Sequence, residues 1–139
     1  MRIDIEYIKN LLEVVLDHDK PDFRIDHKDI APLWRNDDEK LDNLVFHMEI
    51  LKDQGLIENA SGSGGIGFRR MGNGGFTVSV IPLRLTAKGH QFAADLSKPG
   101  VIEKLKTSFK DSGPSEVVKV AFSLGAKVLE KKLEDALSG

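Results

Sequence analysis

Gly62-Ser63-Gly64-Gly65-Ile66-Gly67 spells G-x-G-x-x-G, the spacing that lets a backbone approach a dinucleotide pyrophosphate. That chemistry needs a helix directly after the glycines, because its N-terminus supplies the amides that receive the phosphates. Here Phe68, Arg69 and Arg70 run on into a strand-like segment, so the glycines read as a flexible loop. Asp17, Asp19 and Asp22 lie close together, but the glycine and closing glutamate of a calcium loop are missing. They read as a solvated acidic loop. His18, His27, His47 and His90 are scattered, with no H-E-x-x-H and no pair four apart. There is no cysteine, which removes thiolate metal sites, disulfides and cysteine nucleophiles together. Neither a G-x-S-x-G elbow nor a P-loop lysine occurs, and Asn59-Ala60-Ser61 is a glycosylation sequon in letters only. No catalytic residue, metal or cofactor is expected, and enzyme is the least supported class.

Binding chemistry has better candidates. Arg69 and Arg70 stand beside Gly72-Asn73-Gly74-Gly75, where a flexible tip would let them meet phosphates or enter a minor groove of double-stranded DNA. Lys40, Asn43 and His47 fall on the outer side or flank of a helix expected over residues 37–54, and Asn43 and Lys40 have the groups that pair with adenine and guanine. Charge works against them. The whole chain carries a net charge of -2, residues 1–56 hold six more acids than bases, and residues 37–54 hold four more. A helix laid in the major groove faces phosphates, so an acidic one opposes the main source of non-specific affinity. The sequence pI is near 6.1, so a basic patch must be local. The alternative reading of the arginines is two solvated side chains on a hairpin.

The elements that position these residues follow from periodicity. The 139 residues suit about one domain, and 40% are hydrophobic, enough for a core. Ile5, Ile8, Leu11, Leu12, Val15 and Leu16 form a helical stripe that should end near Asp17. Phe23-Arg24-Ile25 alternates as a very short strand, and His27 to Trp34 suggests a short helix to which Pro32 objects. Asn36 is placed to cap helix 37–54, with Glu39 three residues on as in a capping box. Leu41, Leu44, Val45, Met48 and Leu51 make its inner face, and Gly55 its left-handed end. A strand begins at Leu56, and two more, Ile66 to Met71 and Phe76 to Leu85, flank an Asn-Gly hairpin turn, with Pro82 confined to an edge or bulge. Thr86 caps a helix through Leu96, Val101 to Lys110 forms another, and a last helix runs from about Ser115 to Leu137.

Helix, short strand, helix, helix, strand and hairpin is the order of a winged helix-turn-helix. The expected fold is therefore α+β, mainly α, with a winged-helix domain over 1–97 and a C-terminal helical extension over 98–139. Leu51-Lys52-Asp53-Gln54-Gly55-Leu56-Ile57 looks like the exit from a recognition helix into the wing, and Leu85-Thr86-Ala87-Lys88-Gly89-His90 like the step from wing to next helix. Together with Val45-Phe46-His47-Met48-Glu49-Ile50-Leu51 and the Ser112-Gly113-Pro114 break before a lysine-containing helix, they resemble a phage- and prophage-associated bacterial family of unknown function. That resemblance implies a winged-helix fold and no established activity. The Gly-rich segment Ser61 to Gly75 and the acidic stretch before Trp34 depart from it.

Two apolar features point to partners. Phe46 and Ile50 stand one turn apart on the outer face of helix 37–54, which makes it apolar on two sides. The second side is either a contact within the chain or one between subunits. Val118, Phe122, Gly125, Leu129, Leu133 and Ala136 repeat at four- and three-residue steps along the last helix. This stripe is wider than a small winged domain needs, which favours a two-fold homo-oligomer, a dimer, over packing on its own core. Lys119 and Lys127 interrupt it, so no membrane span is expected. Acids in Met1-Arg2-Ile3-Asp4-Ile5-Glu6 fit a cytoplasmic protein. The functional expectation is a phage-type DNA-binding regulator or accessory protein, with a protein-interaction module that binds no DNA as the alternative.

Overall fold

The stripe at the N-terminus folds as helix α1 (Ile5–Leu16), with Ile5, Ile8, Leu11, Leu12 and Val15 buried and the Asp4 carboxylate capping it by accepting from the Tyr7 amide at 3.0 Å. The computed structural model describes residues 1–138. Phe23 forms a single antiparallel bridge to Leu83, with N–H···O distances of 2.7 and 2.8 Å, rather than a strand. The helix expected over His27 to Trp34 shrinks to one 3-10 turn, Ala31–Leu33. Pro32 is tolerated there because the first turn of a helix has no use for its missing N–H.

Helix α2 (Asp38–Asp53) starts one residue later than the spacing suggests. Asn36 takes a left-handed φ of 61°, so the cap is Asp37, whose carboxylate accepts from the Lys40 amide at 3.1 Å. The shift moves Lys40 into the third helical position and dissolves the capping box with Glu39. At the other end Gly55 donates to Lys52 O and Leu56 to Leu51 O, the pair of bonds that closes a Schellman motif.

Four short strands follow: β1 (Ile57–Asn59), β2 (Phe68–Arg70), β3 (Phe76–Val78) and β4 (Leu83–Leu85). They make two antiparallel ladders, β1 with β4 (Ile57 opposite Leu85) and β2 with β3 (Phe68 opposite Val78). The long strands expected over 66–71 and 76–85 are thus broken. Gly67 lies so close to the Ser79 carbonyl that a β-carbon would overlap it, and Pro82 has no N–H to donate to a ladder. At the tip Gly74 donates to Met71 O and Met71 to Gly75 O, and only Gly74 has a positive φ. The connection is a type I turn with a bulge, not the primed two-residue turn that Asn-Gly suggests.

Helix α3 (Ala87–Leu96) is capped by Thr86, as expected, through a 3.0 Å bond from the Gly89 amide. Thr86 also donates its N–H to Leu56 O and its hydroxyl to Gly55 O, and a β-carbon on Gly89 would strike Leu56 O. The two local sequence signatures are therefore two sides of one joint between α2 and the wing.

Helices α4 (Val101–Ser108) and α5 (Pro114–Ser138) complete an α+β, mainly helical fold of five α-helices and two small antiparallel ladders among the described residues. Val101, Ile102, Leu105, Val117, Val118 and Ala121 belong to the same buried cluster as Leu12, Leu44 and Phe92. The core runs across residue 97 without a gap.

Candidate interaction site

The face that a winged helix would present is built from α2 and the β2–β3 hairpin. Side chains alternate along β2, so Arg70 shares one side of the hairpin with Phe68 while Arg69 points to the other. Arg70 turns onto α2. Both of its terminal nitrogens donate to the Glu49 carboxylate at 2.7 Å, and its guanidinium lies 5.3 Å over the Phe76 ring. The pair is bidentate, the geometry in which arginine and carboxylate hold each other best. Arg70 holds the Glu49 carboxyl below its ordinary range, and Glu49 raises the guanidinium in turn.

The six candidate DNA contacts differ in burial and in pairing. Arg69, Arg70 and Lys40 are all exposed, and Arg70 is in addition paired with Glu49. Asn73 is exposed, but its side-chain oxygen accepts from the Gly75 amide to hold the tip. Asn43 is half-buried, and its carbonyl takes the Nδ1 proton of His47 at 2.8 Å. His47 has no exposed surface and is not a DNA contact. Its Nε2 accepts from the Asp4 backbone N–H at 3.0 Å, its ring packs on Tyr7 at 4.6 Å, and burial lowers its pKa. Helical spacing alone placed it on a flank, because the segment before α1 that covers it is not part of the helix.

Between the start of α2 and the hairpin tip lies a groove of about 400 Å³ in which Asp38 and Asp42 face Met71 and Phe76. Carboxylates there repel phosphate. On the other side of α2, Phe46 and Ile50 are half-buried and line an open groove of about 600 Å³ with Met1, Arg2 and the 110–114 turn. Their second burying surface is thus partly supplied by the chain itself.

Helix α5 divides the expected seam in two. Val118 and Gly125 are buried within the chain, and Phe122 is half-buried, edge-on to Phe92 with ring centres 6.3 Å apart. These three are core contacts rather than a dimer seam. Leu129 and Leu133 stay about half exposed, and every described residue from 129 onward is exposed. Gly125 does permit close approach, but to α3: a β-carbon would overlap the Asp95 carboxylate. Asp95 is 2% exposed and accepts from Lys98 Nζ at 2.7 Å, while the same ammonium reaches Gly125 O at 3.3 Å. Sequence reasoning missed Asp95, whose one signal is a lysine three residues on, a spacing shared by many solvated pairs.

The structure also brings His18 and His27 together, with ring centres 3.9 Å apart. No group of three or more His, Asp or Glu side chains able to hold a metal ion occurs among the described residues. No helix among them is long and apolar enough to cross a membrane. No family model, curated protein or solved structure matches the chain.

Proposed function

We propose that this chain is a small winged-helix accessory protein of the phage-associated type that acts by binding protein rather than by reading DNA. The observation that carries this reading is the bidentate Arg70–Glu49 pair. It spends the inward arginine of the wing on the acidic helix that a DNA-binding mode would lay in the groove. Asp38 and Asp42 beside the tip, and the burial of His47, support the same reading. The exposed ridge of Leu129, Leu133 and Leu137 is the proposed contact with a second copy.

Mixed-sequence duplex DNA titrated by fluorescence anisotropy at about 50 and 200 mM salt tests the claim, since phosphate-driven binding falls steeply over that range. No binding at micromolar protein in low salt is expected. A second reading, DNA contact through the wing, is favoured by the exposure of Arg69 and Lys40. Under it, Arg69→Ala with Arg70→Ala would weaken binding to all sequences alike and flatten the salt dependence.

A further inference from the structure

Three lysines meet around an apolar trough to which the β2–β3 hairpin contributes no residue. Lys104 extends from α4, and Lys127 and Lys131 stand one turn apart on α5. Between them lies a groove of about 210 Å³ floored by buried Val101 and half-buried Leu124 and Val128. None of the three ammonium groups has a carboxylate within 4.0 Å among the described residues, although Lys98 and Lys106 nearby are paired with Asp95 and Glu6. Like charges gathered at a low-dielectric wall repel one another and focus a positive field that an anionic partner relieves.

We propose that this groove docks an acidic amphipathic helix of a partner protein, one that offers a leucine-like side chain to the trough and carboxylates to the lysines. The volume is below the roughly 300–1,000 Å³ of small-molecule sites. The floor has no aromatic ring on which a base would stack. Three lysines fall short of the four to eight that mark an anionic-lipid patch, by about one or more. An apolar trough beside a helix, rimmed by charge, is the geometry of helix-in-groove recognition. The proposal rests on the protein-binding reading in kind but uses a different face, so it stands even if the wing binds DNA.

The test titrates the full chain into a fluorescein-labelled peptide of about 14 residues, near the length at which an isolated helix becomes marginal. Leucine recurs every three or four positions in this peptide and glutamate fills the rest. Lys127→Glu with Lys131→Glu changes two exposed side chains and leaves the core intact, as circular dichroism checks. Binding that weakens tenfold or more in this double variant, and likewise when the peptide leucines become serine, supports the proposal. Equal binding by wild type and the charge-reversed variant overturns it. Equal binding of the serine peptide also overturns it, by reducing the effect to charge alone. Concentration-dependent self-association that the same lysine changes abolish assigns the groove to a second copy and overturns the partner claim. The peptide titration repeated with Arg69→Ala/Arg70→Ala is expected to be unchanged, which separates this site from the wing.

Discussion

Neutral His47 pins the segment before α1 to α2, because its Nε2 accepts the Asp4 backbone N–H at 3.0 Å. Protonation turns that nitrogen into a donor facing a donor. The folded pKa is below the ordinary 6.5, so between the two values the unfolded chain holds a proton that the native chain does not. Stability therefore falls as pH drops from about 6.5 toward the lowered value, and urea unfolding at a series of pH values is expected to show it. A His47→Gln variant should lack that step. His47→Leu leaves the amide unpaired and is expected to cost about 1–3 kcal/mol. At alkaline pH the sign reverses through Tyr7, whose hydroxyl is pushed up to about 12 by burial and then by the Asp4 charge. Its contribution is complete below pH 10 and is lost as pH rises toward 12. Glu49, held low by Arg70, contributes above the ordinary carboxylate range and less as acid protonates it.

At the scale of elements, α5 is a core helix for its first half and a projecting rod for its second. The division explains which part of its stripe a sequence can assign. Apolar spacing shows that Val118, Phe122, Leu129 and Leu133 seek cover, but the same spacing serves a neighbour within the chain or a second copy. The α3–α5 contact decides it for the first half. Lys98→Met, which leaves the buried Asp95 carboxylate without its cation and with Gln91 Nε2 as its remaining side-chain donor, is expected to cost toward the lower end of about 3–5 kcal/mol, since Lys98 keeps 20% of its side-chain surface. Gly125→Ala forces Asp95 aside at about 1–3 kcal/mol. Both are read by thermal or urea denaturation. Under the proposed self-pairing of the leucine ridge, Leu129→Glu with Leu133→Glu is expected to convert a dimer to a monomer and to remove any concentration dependence of the unfolding midpoint. A light-scattering mass of 15.4 kDa for the unaltered chain contradicts self-pairing.

Across the whole molecule, periodicity and capping residues made the element order legible. Thr86 and Gly55 mark ends that chemistry enforces, whereas the Asp4 cap of α1 went unread and the cap of α2 is Asp37 rather than Asn36. The wing was legible as a hairpin but not as two ladders, since the break depends on a glycine touching a carbonyl twelve residues away. The candidate site was harder for a related reason. Arg70 and Glu49 are 21 residues apart, and nothing local says that the hairpin leans its Arg70 side onto α2. That lean offsets the charge of one of the two exposed arginines with the Glu49 carboxylate and leaves Arg69 without such a partner among the described residues. Salt-dependent anisotropy of mixed-sequence duplex DNA with the unaltered chain measures that balance most directly. Protein contact as the function requires no binding at micromolar concentration near 50 mM salt. Tight binding there that collapses toward 200 mM would contradict it, and would mean that Arg69 and its neighbours outweigh the acidic helix.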